Sequence, residues 1–340
     1  MIRVMKKIIF AIIFLLVVGG VIWGFNKPGP KEPEVIKRTR FLMDTYCTMK
    51  VPVQGAIWTQ ETVDKAINLA FERMEQIDRK FNILNPDSPL YHFNNEGTPI
   101  TDTEIIGVIN IALQISKESD GAFDITVEPL VKLWGFFSDN PHMPGKEEIQ
   151  KTLKQIGWQH LIVKDGKVTK DLPDLHIDLG GIAKGYGLSE TVKTLKEQGI
   201  NSALIEAGGQ VHAFGYVDGN PWKVGIRNPR GTGFVAGLAA IEETDISTSG
   251  DYERFFEKDG VRYHHILDPK TGYPAREMMS VSVVTKDPTL ADAWSTALFV
   301  MGPEKALKLA EQKPELEIIV VDAKGSIKYS QRLPDKLIRK

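Results

Sequence analysis

Cysteine is almost missing from the 340 residues: Cys47 stands alone, so no intramolecular disulfide can form and the fold must rest on its core and on any ligands. Oxidation is therefore expected to have little structural effect. An excess of either charge is missing too. Forty-two Lys and Arg stand against 44 Asp and Glu, a formal net charge of −2. The basic residues are spread rather than massed, which removes the electrostatic footprint of a nucleic-acid binder. There is no internal repeat and no low-complexity tract, and nothing marks the chain as fibrous or disordered. Its length and ordinary apolar content suit one large core or two modest ones.

A long apolar run occurs once. Arg3, Lys6 and Lys7 precede an uncharged stretch over residues 8–25, which at about 1.5 Å per residue nearly spans a bilayer core. The basic flank predicts a single-pass cell-membrane anchor with the rest of the chain outside the cytoplasm, although Lys27, Lys31, Lys37, Arg38 and Arg40 weigh the other way. Ile22, Trp23 and Phe25 occupy positions where a cleavage site needs small residues, so retention is expected rather than removal. Cys47 lies too far downstream to carry a lipid in its place. Residues 26–33, NKPGPKEP, favour an extended spacer. The expected organisation is an anchor at 1–25, a linker at 26–38 and a catalytic body at 39–340.

Within the body, Val63, Ile67, Ala70, Phe71, Met74, Ile77 and Phe81 recur at helical spacing. Thr101 and Glu104 form a capping-box pattern ahead of a second helix that should end near Gly121 in a left-handed cap. Beyond Trp158 the texture changes to short β-branched runs, at 161–163, 167–169, 175–179, 202–206, 211–214, 222–226, 235–241, 262–267, 280–285, 317–321 and 326–329. Helices are expected among them at 182–198, 289–301 and 303–312. Helices set among antiparallel-looking strands predict an α+β fold.

Several segments bear on chemistry. HIDLGGIAKGYG (176–187) runs through two glycines into a helix and brings Lys184 into its first turn, which suits a phosphate; an ordinary strand-to-helix turn explains it equally well. Asp292 and Thr296, four apart on a helix, stack two hard oxygens on one face, as magnesium prefers, or simply complement the helix dipole. YHHILDPKTG (263–272) sends His264 and His265 to opposite faces, so one of them at most faces a site. EAGGQ (206–210) and DISTSGD (245–251) offer amides and hydroxyls, or are plain turns. Phe123 in SDGAFDITVEPL (119–130) can stack on a planar ring or pack in the core.

In this order, FLMDTYCTMKV, DSPLYHFN, SDGAFDITVEPLVKLWGF, IDLGGIAKGYG, EAGGQVHAFG, DISTSGDYERF, HHILDPKTGYP and ADAWSTALFVMG resemble the ApbE family of FAD:protein FMN transferases over about residues 41–301. The resemblance implies mixed sheets with flanking helices and FAD in a cleft between two subregions. It also implies Mg²⁺ and transfer of FMN to a Thr or Ser hydroxyl of an extracytoplasmic target protein, with release of AMP. Carried over by position, Gly181, Asp292 and Thr296 are implied metal contacts. Met43, Ala122, Phe123, Asp124, Asp178 and Lys184 are implied FAD contacts, and His265 activates the acceptor hydroxyl, with His264 as its outward neighbour. Two other readings use the same residues: FAD hydrolysis to FMN and AMP, and a surface protein that binds FAD without turning it over.

Overall fold

The computed structural model describes residues 34–53, 58–138, 140–240 and 242–333. The apolar run and the whole of the 26–33 spacer lie outside the described residues. Among those described, no helix is long and apolar enough to cross a membrane. The first strand, β1 (Val35–Leu42), already occupies the end of the segment expected to be linker, so the folded body starts before Thr39. It pairs with β2 (Thr45–Pro52) through a two-residue turn whose members, Met43 and Asp44, both have positive φ. Such a turn matches the twist of the paired strands and usually demands Gly or Asn. Here the Asp78 carboxylate accepts the Met43 N–H at 3.0 Å and helps hold it.

Helix α1 (Gln60–Phe81) buries all seven apolar positions named from its periodicity, and the Thr59 side chain caps it. After α2 (Pro89–Glu96) comes α3 (Thr103–Glu118), where the expected capping box is not the device used. Asp102 is the cap, its Oδ1 accepting the Glu104 and Ile105 N–H groups at 3.0 Å each. Glu104 instead receives Lys80 at 2.6 Å, the Tyr186 hydroxyl at 2.8 Å and Arg73. A charged cap adjacent to the helix outcompetes the threonine, and three donors hold the glutamate elsewhere. Gly121 takes the left-handed conformation expected of it (φ 74°).

Short helices α4 (Glu128–Leu133) and α5 (Lys146–Thr152) precede the hairpin β3 (Leu161–Lys164) and β4 (Lys167–Lys170). The run 175–179 is not a strand. Its would-be ladder partner is a side chain: Asn94 accepts from the Ile177 N–H at 2.8 Å and donates to its carbonyl at 2.9 Å, while the Asp178 N–H reaches the Ile125 carbonyl at 2.8 Å. Buried backbone groups need partners of some kind, and a carboxamide serves as well as a neighbouring strand.

Helix α6 (Ala183–Glu197) leads into β5 (Ala203–Ala207), β6 (Gln210–Phe214), β7 (Tyr216–Val217), β8 (Asn220–Arg227), β9 (Phe234–Ala240) and β10 (Thr244–Gly250). The hairpin β11 (Phe255–Lys258) and β12 (Val261–His264) follows, then β13 (Met278–Thr285), α7 (Pro288–Met301), α8 (Pro303–Gln312), β14 (Glu317–Asp322) and β15 (Ile327–Tyr329). The principal sheet runs β1-β2-β5-β6-β10-β13-β14-β15, antiparallel throughout. On one face Cys47, Met49, Val51 and Ile205 pack with α1 and α6. On the other, Leu204, Ala213, Ile246 and Val284 pack with Trp222, Val224 and Ile226 of the smaller β7-β8-β9 sheet. Helices α3, α7 and α8 share a further core with β13 and β14. Burial pushes the Cys47 thiol up to about 12 and so keeps it unreactive.

Candidate active site

The site gathers where α6 crosses α7. The Asp292 carboxylate, 3% exposed, accepts the Gly185 N–H at 2.9 Å on one oxygen and faces the Lys184 Nζ at 3.2 Å with the other. Gly185 has to be glycine: a Cβ there would lie 2.2 Å from the Pro288 carbonyl oxygen. Lys184 also donates to the Gly180 carbonyl at 3.2 Å, so its ammonium spans the glycine turn and the carboxylate.

One turn along α7, the half-buried Thr296 hydroxyl points at Gly181, where a Cβ would lie 3.7 Å from its Oγ1 and 3.1 Å from the Phe123 ring. Ser249 of β10 approaches from the sheet, 3.5 Å from the Thr296 Oγ1 and 2.9 Å from the Ser295 Oγ. Ser295 in turn donates to the Asp292 carbonyl at 2.8 Å. Gly181 therefore lies beside Thr296 and Phe123, and Asp292, one helical turn before Thr296, lies beside Lys184.

The remaining candidates differ in what they offer. Met43 lies with its sulfur against Gly187 of α6, where a Cβ would come within 2.9 Å of it. Ala122 is buried beside Phe123. Asp124 has no free carboxylate: one oxygen takes the Thr126 N–H and hydroxyl, at 2.8 and 2.7 Å, and the other takes the Trp158 N–H at 3.0 Å. Asp178 accepts the Gly180 N–H at 2.9 Å and so folds the turn that presents Gly181. Burial pushes the Asp178 carboxyl up from its usual range.

The histidine pair is reversed from expectation. His264 is the inward residue, 3% exposed, with its Nε2 2.6 Å from the Ala275 carbonyl and its ring edge-on to Phe299. His265, just past the end of β12, is half-buried, with Nδ1 3.3 Å from the Arg254 carbonyl. A carbonyl only accepts, so Nδ1 carries the proton and Nε2 is left with its lone pair. Desolvation, assisted by His264, Arg254 and Lys184, lowers the imidazole to about 3. An aromatic cluster fixes this corner: Trp134 stacks on Tyr263 and donates its indole N–H to the Gly272 carbonyl at 2.8 Å.

The ApbE family model matches residues 43–320. The chain belongs to the ApbE family. Among its curated relatives, the FAD:protein FMN transferase of Vibrio cholerae serotype O1 is 34% identical over 302 residues, covering 86% of this chain and 90% of that one. The Escherichia coli K12 protein of the same name is 34% identical over 304 residues, 85% of each. The crystal structure of the ApbE protein from Thermotoga maritima superposes with a TM-score of 0.81 at 35% identity, covering 90% of this chain and all of that one. The flavin transferase ApbE of Vibrio cholerae does so with 0.80 at 30%, with the same coverage.

Two further residues of this ApbE chain bear on the site, Asn94 in DSPLYHFN and Arg254 in DISTSGDYERF. Asn94 braces the strand-like run leading to Gly181. Arg254 holds His265 by its carbonyl and pairs by its guanidinium with Asp44 in the β1–β2 turn. Neither residue type is diagnostic without its partner in view.

Proposed function

We infer that this chain transfers FMN from FAD to a threonine or serine hydroxyl of another protein and releases AMP. Membership of the family and the names carried by its relatives support the reaction. The observation that carries the reading here is the pairing of Lys184 with Asp292 and the approach of Thr296 to Gly181, with a proton-free nitrogen on the His265 ring, which feels the Lys184 charge.

The chemistry divides among these groups. The acceptor Oγ attacks the flavin-side phosphorus, the bond from that phosphorus to the bridging oxygen breaks, and AMP departs with that oxygen. The hydroxyl proton passes to Nε2 of His265. Lys184 supplies positive charge to the diphosphate, and the presence of that anion raises the proton affinity of the imidazole. The donor set fits a hard divalent cation: the Asp292 carboxylate, the Thr296 hydroxyl and the Gly181 carbonyl would hold Mg²⁺. Once bound, such an ion neutralises phosphate charge as it develops. The sequence of residues 1–25 supports placing the reaction outside the cytoplasm, at a membrane anchor.

The test incubates the full chain with FAD, Mg²⁺ and a candidate extracytoplasmic protein, then looks for flavin fluorescence on the denatured target band. A labelled band with stoichiometric AMP supports transfer. Free FMN with an unlabelled target supports hydrolysis instead, and flavin bound without any AMP leaves only a carrier.

A further inference from the structure

Apart from the residues at the α6–α7 crossing, three guanidinium groups frame a cavity of about 360 Å³ lined by Arg227, Arg230 and Arg262 with Tyr252 and Phe255. Two of the three are committed. Arg230 forks onto Asp251, with Nη1 2.8 Å from Oδ1, and Arg262 reaches Glu257 at 3.0 Å while lying 4.0 Å above the Phe255 ring. Arg227, exposed at the end of β8, has no carboxylate partner among the described residues; its guanidinium faces the Tyr252 ring at 5.5 Å. The loop that carries Arg230 is braced by Asn228, whose N–H donates to the Gly233 carbonyl at 3.1 Å and whose Oδ1 accepts the Arg230 N–H at 3.0 Å.

The position of the cavity indicates which ligand it serves. Arg230 of the cavity is held by Asp251, which directly follows β10, and β10 also carries Ser249, whose hydroxyl lies 3.5 Å from the Thr296 Oγ1. The cavity belongs to the β8–β9 side of the principal sheet, whereas Lys184, Asp292 and Thr296 lie on the helix side. On the transfer reading above, the diphosphate of FAD lies on the helix side, at Lys184. The second substrate has to approach from outside, and a planar guanidinium walled by aromatic rings selects carboxylates with directional hydrogen bonds.

We propose that this cavity seats an acidic side chain of the acceptor protein, with Arg227 as the receiving group. The proposal rests on the transfer reading above. It makes acceptor recognition electrostatic, and hence sensitive to salt, while leaving FAD binding to the other side of the sheet.

The experiment uses two synthetic peptides that share one threonine and differ only in flanking Asp or Asn. Binding to the full chain is followed by fluorescence anisotropy, and flavin transfer is followed in parallel. The wild type should bind the acidic peptide about fivefold more tightly, the scale of one exposed ion pair. That preference should shrink with added NaCl and vanish in Arg227→Gln, with the KM for FAD unchanged. Equal binding of the two peptides, or a preference that survives in Arg227→Gln, overturns the proposal. So does a raised KM for FAD in that variant, which would give the cavity to the nucleotide. If the acidic peptide is preferred but neither peptide is labelled while FAD is cleaved, the transfer reading fails and the cavity assignment stands.

Discussion

The Gly185 N–H donates to the Asp292 carboxylate at 2.9 Å across a helix crossing too tight for a side chain. The main chain of α6 thus orients the acidic group of α7. A methyl group at Gly185 would meet the Pro288 carbonyl oxygen at 2.2 Å and the Asp292 Cβ at 2.7 Å. Gly185→Ala should therefore destabilise the fold by roughly 1–3 kcal/mol, as overpacking does, and reduce AMP release further than the lost stability explains. Denaturant unfolding alongside initial rates checks this; wild-type behaviour in both would mean the helices can part freely.

Asp292→Ala removes the carboxylate that faces Lys184 at the helix crossing. AMP release should fall by about a hundredfold or more while some flavin binding persists. Quantifying AMP by chromatography, with flavin binding by fluorescence quenching, separates the two. A variant that releases AMP at the wild-type rate would remove Asp292 from the chemistry.

His265 offers a prediction in pH. Its folded value of about 3 lies below the ordinary 6.5, so the unfolded chain binds the extra proton between those limits. This contribution to stability is whole above pH 6.5 and is lost as pH falls toward 3. His265→Gln should flatten the acid side of the stability profile and slow transfer more than it weakens FAD binding. An unchanged profile would show that the imidazole is hydrated in the folded protein.

Asn94→Ala leaves the Ile177 N–H and carbonyl without their side-chain partner in a buried place. Each orphaned group costs about 1–3 kcal/mol, and the glycine turn beyond it should loosen. The expected result is a lower unfolding midpoint together with weaker FAD binding. Restoration of both by Asn94→Asp would argue against the two-way bond, since a carboxylate cannot donate to the carbonyl.

Much of the fold can be read from period and punctuation. Helix α1 and its buried stripe, the boundaries of α8 and most strands after Trp158 follow from local pattern, because each buries one face in a regular repeat. Partners distant in sequence cannot be read this way. The run 175–179 has strand composition, yet Asn94 takes the place of a strand; Asp102 displaces Thr101 because Glu104 is drawn away by Lys80, Arg73 and Tyr186. Alternation correctly separates His264 from His265, but which of them faces inward depends on Phe299 and Ala275, contributed by other elements. A metal role for Gly181, Asp292 and Thr296 is legible only through the resemblance, since the spacing of Asp292 and Thr296 alone favours the helix-dipole reading.

Intact-mass analysis of a co-expressed extracytoplasmic protein tests the central claim most directly. The account predicts that it gains one FMN less a water on a threonine or serine, and that the adduct disappears when the chain carries Asp292→Ala. An adduct formed equally well by that variant, or free FMN with no adduct from the wild type, would contradict it.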